Sequence, residues 1–147
     1  MADPRERPDI AFFARVAAIE RLAGQRVERA LSDRLSSAGL AVLERLAIAA
    51  APPSPMELAS ILRLSKPAMT HTLQRLEQFG LIAVAADAVD GRMKRVTITT
   101  AGLEARRGAL AAVRPRIEAV RAAFDAGEFA AALPFLERMA NWLAANP

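Results

Sequence analysis

The stretch Arg63–Arg75, RLSKPAMTHTLQR, holds four basic or potentially basic side chains, Arg63, Lys66, His71 and Arg75, and no carboxylate. Read on to Phe79, it sorts into two faces at helical spacing. Met69, Leu73, Leu76 and Phe79 recur at steps of four, three and three and form an apolar stripe. The opposite face carries Pro67, Thr70, His71, Gln74, Arg75 and Gln78. Hydroxyl, imidazole, amide and guanidinium groups are those that bond phosphate oxygens and base edges. A helix that buries one side and offers this chemistry on the other suits a DNA groove.

The flanks support a helix-turn-helix. Ser65 is placed to cap a helix from Lys66 to Phe79, and Gly80 to stop it. Upstream, Ser54-Pro55-Met56-Glu57 combines a capping serine, a first-turn proline and a glutamate that completes a capping box. It opens a short helix, Pro55 to Leu62, and Arg63-Leu64-Ser65 joins the two, with the second helix in the reading position.

Beyond Gly80 the period changes. Leu81 to Ala86 is a short apolar run, and Arg95 to Thr99 (RVTIT) alternates with β-branched residues. The Asp90-Gly91 pair between them predicts a hairpin turn. This wing carries Arg92, Lys94 and Arg95, and Asp90 is expected to orient Arg92 by a charge-assisted bond. A basic helix face alone is ordinary solvated surface, and so is a basic hairpin. Their succession makes DNA contact the better reading. The contact set is Ser65, Lys66, Pro67, Thr70, His71, Gln74, Arg75, Arg92, Lys94 and Arg95. Lys66, Thr70 and Arg75 suit phosphates, Gln74 suits adenine, and His71 or Arg75 suits guanine.

Helices flank this centre. Met1–Pro8 is charged and reads as a mobile arm. Phe12, Val16, Ile19, Ala23, Val27, Ala30 and Leu31 trace a stripe from a cap at Asp9 to about Leu35, roughly seven turns. Ser36, Ser37 and Gly39 mark a break, and Leu40 to Ala50 is a shorter helix ended by Pro52 and Pro53. Thr99 or Thr100 should cap a helix to Phe124 that Pro115 kinks. Gly127 separates it from a final helix, Glu128 to Ala145, bent at Pro134.

The terminal helices carry much apolar surface. Phe12, Ile19, Leu133, Leu136, Met139, Trp142 and Leu143 are assigned to a dimer interface. Packing of the two ends within one chain is compatible with that assignment. Phe12, Phe13, Val16 and Leu43 are candidate walls of a ligand pocket.

Composition narrows the function classes. The chain has 147 residues, enough for one domain with a proper core. At 53% hydrophobic and 24% charged it is no disordered segment. A net charge of +4 fits an acidic partner. There is no cysteine, which removes thiolate nucleophiles, thiol switches and Cys-based zinc. The single histidine, His71, has Pro67, Gln74 and Arg75 as helical neighbours, which make no ligand or catalytic set. An enzyme, a cofactor and a metal are therefore not expected. With neither a signal peptide nor a spanning run, the protein is expected to be soluble and cytoplasmic, with no membrane partner.

The order of parts resembles the MarR (multiple-antibiotic-resistance regulator) family of winged-helix transcription factors over nearly the whole chain. The carriers are Leu35-Ser36 with Val42-Leu43, then Glu57-Leu58-Ala59, Leu64-Ser65, Thr70, Arg75-Leu76-Glu77 and Gly80-Leu81-Ile82. The strongest stretch is Asp87 to Arg92 (DAVDGR) followed by Val96-Thr97-Ile98-Thr99 and Gly102, similar to the family's wing signature. The resemblance implies a mainly α fold with a small β-hairpin wing. Residues 1–36 and 100–147 would dimerise, and 37–99 would bind DNA. It also implies an obligate homodimer, recognition helices in successive major grooves of an inverted repeat, and wing arginines in the flanking minor grooves. Repression relieved by a small aromatic effector is a common family property. Val84, Gly91 and His71 stand where the family often has arginine, so the salt dependence should be shallower than usual. The rival reading is a winged-helix interaction module that dimerises but has lost specific DNA binding.

Overall fold

A computed structural model describes residues 7–147; of the expected N-terminal arm, residues 1–6 lie outside them. The described elements are α1 (Pro8–Glu28), α2 (Ser37–Ile48), α3 (Pro55–Leu62), α4 (Lys66–Gln78), β1 (Ile82–Ala86), β2 (Lys94–Ile98), α5 (Thr100–Ala123) and α6 (Ala126–Ala145). The fold is mainly α with a two-stranded antiparallel wing, as expected. The chain forms two compact units that divide after Val113, inside α5 and next to Pro115.

In the first unit the core lies under the helix-turn-helix. Val42, Leu43, Leu58 and Val96 are fully buried, and Met69 and Leu76 nearly so. Each such side chain contributes roughly 1.5–3 kcal/mol by leaving water. Leu35, Leu81, Ile82 and Ala109 close the cluster, so α2, α4, the wing base and α5 share one interior. An ion pair between Arg106 and Glu44 ties α5 to α2 at its edge.

The capping chemistry forms as read. Ser54 and Glu57 make the full box on α3, and the Ser65 hydroxyl accepts the Ala68 N–H at 3.3 Å. At the far end of α4, Gly80 adopts φ +70°, the Leu81 N–H reaches the Leu76 carbonyl, and the Gly80 N–H reaches that of Glu77. This paired closure needs a left-handed residue, which glycine supplies without a Cβ penalty.

Several expectations are corrected. The first helix is capped from Arg7, whose guanidinium pairs with Asp9 at 2.7 Å, so Asp9 sits inside its first turn. The helix stops at Glu28, whose carboxylate accepts the Ser37 N–H at 2.8 Å, and Leu35 is buried in the core. Ser36 is a cap, its hydroxyl accepting from Gly39, and Gly39 lies inside α2. Phe79, expected in the buried stripe, is 36% exposed and lies under the guanidinium groups of Arg34 and Arg75. Thr72 is buried instead, its hydroxyl donating to the Ala68 carbonyl at 2.8 Å. In the second unit Gly127 does not precede α6 but lies within its first turn. Asp125 caps that turn, and Glu128 completes a second capping box.

Candidate nucleic-acid interface

The segment between α3 and α4 turns sharply. Arg63 sits at φ 52°, ψ 39°, with its N–H on the Ser60 carbonyl and the Leu64 N–H on the Ala59 carbonyl. Ser65 then starts α4. Its buried residues, Met69, Thr72, Leu73 and Leu76, fix the rotation of the helix against the core. Ser65, Lys66, Pro67, Thr70, His71, Gln74 and Arg75 are left exposed on the outside. Among the described residues, the side chains of Lys66, Thr70, His71 and Gln74 make no hydrogen bond, ion pair or ring contact. Arg75 differs: its Nη2 donates to the Asp33 carbonyl at 2.9 Å and its guanidinium lies 6.0 Å from the Phe79 ring centroid. It is a strut between α4 and the segment joining α1 to α2, with part of its donor set committed.

The wing pairs Ile82 with Ile98 through to Ala86 with Lys94. Its tip is a seven-residue loop, Asp87–Met93, within which the Met93 N–H closes a turn on the Asp90 carbonyl at 2.9 Å. The organiser is Asp87, not Asp90. The Asp87 carboxylate accepts the Val89 and Asp90 N–H groups at 2.8 and 2.9 Å and the Arg95 Nε at 2.6 Å. Arg95 also reaches Glu57 at 3.3 Å, so the wing is bolted to the start of α3. The Val96 N–H adds a bond to the Pro53 carbonyl at 2.9 Å. Two site assignments change accordingly. Arg95 is a half-buried anchor of the wing instead of a free contact, because two carboxylates hold it. Asp90 accepts the backbone N–H of Arg92 at 3.1 Å, so it shapes the loop and does not grip the guanidinium.

Arg92 and Lys94 remain exposed, with unengaged side chains among the described residues. They share an open cleft of about 500 Å³ with Lys66, Thr70, Met56 and Met69. The fold thus brings the helix cations and the wing cations, separated in sequence by β1 and the wing loop, onto one rim.

Residues 35–93 match the model of the MarR family. Over those residues the chain is similar to the MarR family. The structure of the transcriptional regulator BldR from Sulfolobus solfataricus is similar over 99% of each chain, at 22% identity and a TM-score of 0.77. PcaV from Streptomyces coelicolor, in complex with its natural ligand, covers 96% of each chain at 20% identity and a TM-score of 0.80. A probable transcriptional regulator from Pseudomonas aeruginosa is 26% identical, with a TM-score of 0.71, over 84% of this chain and 96% of its own. No curated protein matches the chain in sequence.

The remaining predicted residues fall outside that surface. Phe12, Phe13 and Val16 lie on α1, Phe13 half exposed and edge-on to Phe12. Leu43 is wholly enclosed in the core, which corrects its reading as a wall open to ligand. A cleft of about 450 Å³ that does open beside α5 is lined by other residues, among them Arg34, Phe79, Glu104 and Gly108. Ile19 on α1 is 67% exposed. On α6, Leu133, Leu136, Trp142 and Leu143 are exposed and Met139 half-buried. Among the described residues no cluster of three His, Cys, Asp or Glu could hold a metal, and no helix is long and apolar enough to cross a membrane.

Asp87 as organiser of the wing loop and Glu57 as a wing partner were missed from sequence. Asp87 carries a signal that could have found it, an aspartate followed by turn residues whose N–H groups its side chain can bond. The bond from Arg95 adds the larger effect. Beside that guanidinium, and with the N–H groups of Asp90 and Val89, the Asp87 carboxyl falls to a pKa of about 2. A carboxylate with a lowered folded-state pKa stabilises above its ordinary value, and that support fades as pH falls through the folded value. Wing order should therefore hold at pH 4 and be lost towards pH 2. An NMR titration of the Asp87 carboxyl with a midpoint near 4 would exclude this ion pair.

Proposed function

We propose that the chain works as a homodimer that sets the Lys66–Gln78 surface into successive major grooves of an inverted-repeat operator. Gln74 and His71 are the base readers, and Lys66 and Thr70 hold phosphates. Arg92 and Lys94 reach the flanking backbone or minor groove. Bound across a promoter, such a dimer occludes polymerase and represses. The single observation that carries this reading is the shared cleft rim, where Lys66 and Thr70 meet Arg92 and Lys94. Exposed apolar side chains on α1 and on α6 support dimerisation. Relief by a small aromatic effector belongs to the proposal and is supported by PcaV having been solved with its natural ligand.

The test is genomic footprinting followed by fluorescence polarisation on the recovered site. Replacing Gln74 and His71 together by alanine should weaken operator binding by about 2–4 kcal/mol while Tm stays within a few degrees, since neither side chain supports the fold. Unchanged affinity would remove α4 from the reading position. With Arg95 withdrawn into the wing, the salt slope should be shallow. No binding even at low salt would reassign the chain as a protein-interaction module.

A further inference from the structure

Arg63 is the one described residue other than glycine with a positive φ, at 52°. Any side chain with a Cβ is strained there, and glycine is not. The conformation is imposed by the closure of α3, through the Leu64 to Ala59 and Arg63 to Ser60 hydrogen bonds at 3.0 and 3.3 Å. The arginine gains nothing inside the chain in return. It is exposed, and among the described residues its side chain makes no hydrogen bond, ion pair or ring contact. It is the C-cap of α3 and stands two residues ahead of the Ser65 cap of α4, whose first turn holds Lys66 and no carboxylate to engage it. Strain and the lack of a side-chain partner share one resolution, an anion brought in from outside.

We propose that Arg63 is a DNA contact, holding a backbone phosphate at the turn that leads into the reading helix. The inference rests on the DNA-binding reading above and adds to it a residue absent from the sequence-based contact set. Each dimer would gain two phosphate contacts that are blind to base sequence.

The experiment compares Arg63→Gly, Arg63→Asn and Arg63→Lys in the full chain, measuring operator affinity from 0.05 to 0.3 M salt and Tm. Glycine and asparagine tolerate the left-handed region. Both should keep or raise Tm, while affinity falls about tenfold on operator and unrelated DNA alike and the salt slope shrinks by about 2. Lysine should restore most of the affinity. Wild-type-like affinity and salt slope in the glycine and asparagine variants would overturn the inference. A lower Tm without loss of affinity would also overturn it, assigning the cation to the carbonyl end of α3. If the wild-type chain itself binds no duplex, the DNA-binding reading fails and this one with it.

Discussion

Replacing Gly102 by alanine should lower Tm by roughly 10 °C, the largest stability effect expected of any single-methyl change in this chain. The reason lies in how α5 meets the wing base. The Thr99 N–H donates to the Leu81 carbonyl at 3.1 Å, its hydroxyl donates to the Gly80 carbonyl at 2.6 Å, and that hydroxyl accepts the Gly102 N–H. These bonds press the first turn of α5 onto the Leu81 backbone. A Cβ on Gly102 would stand 2.0 Å from the Leu81 oxygen and 2.8 Å from Ile98 Cγ1. A carbonyl cannot rotate away as a flexible side chain can, so either the helix or the strand must move. Overpacking of this kind costs about 3 kcal/mol. The control is Gly108→Ala in the same helix, where nothing lies within 4 Å of the new methyl. That change should be neutral or stabilising by up to ~1 kcal/mol. Thermal melts of the two variants decide the matter, and equal melting temperatures would mean that α5 does not rest on Leu81. DNA affinity measured well below Tm should also fall in the Gly102 variant, because the displaced strand carries the wing.

The second large effect concerns assembly. In α6, Leu133, Leu136, Met139, Trp142 and Leu143 recur at helical spacing, and Trp142 is 64% exposed in the single chain. Side chains of this size left in water each forgo roughly 1.5–3 kcal/mol. If a second copy covers them, Leu136→Glu with Trp142→Glu should give a monomer by sedimentation. Operator affinity should then fall by two orders of magnitude or more, since linking two half-site contacts multiplies affinity about 10²–10⁴-fold. The fold of the first unit should persist, as its core draws on neither residue. A double variant that stays dimeric with full affinity would place the interface elsewhere.

How far the sequence alone reached can be judged element by element. The Ser54–Glu57 box, the Ser65 cap and the Gly80 stop were legible because a cap and its partner lie within four residues of one another. The exposed face of α4 was legible for a similar reason: helical period couples Met69, Leu73 and Leu76 and leaves Thr70, His71 and Gln74 outside. The Asp90-Gly91 pair marked a turn that does form between the strands, but not that Asp87 claims the loop N–H groups and draws in Arg95. Phe79 misled, because two arginines satisfy its ring at the surface.

Hydrogen bonds, caps and periodicity within a turn or two are written into neighbouring residues, and these determined the helix-turn-helix and its polar outer face. Tertiary structure decided everything that joins distant segments: Arg75 to Asp33, Arg95 to Glu57, Gly102 against Leu81, and the helix cations beside those of the wing. Such contacts leave no local pattern, since a guanidinium pairs with whichever carbonyl or carboxylate the packed core delivers to it.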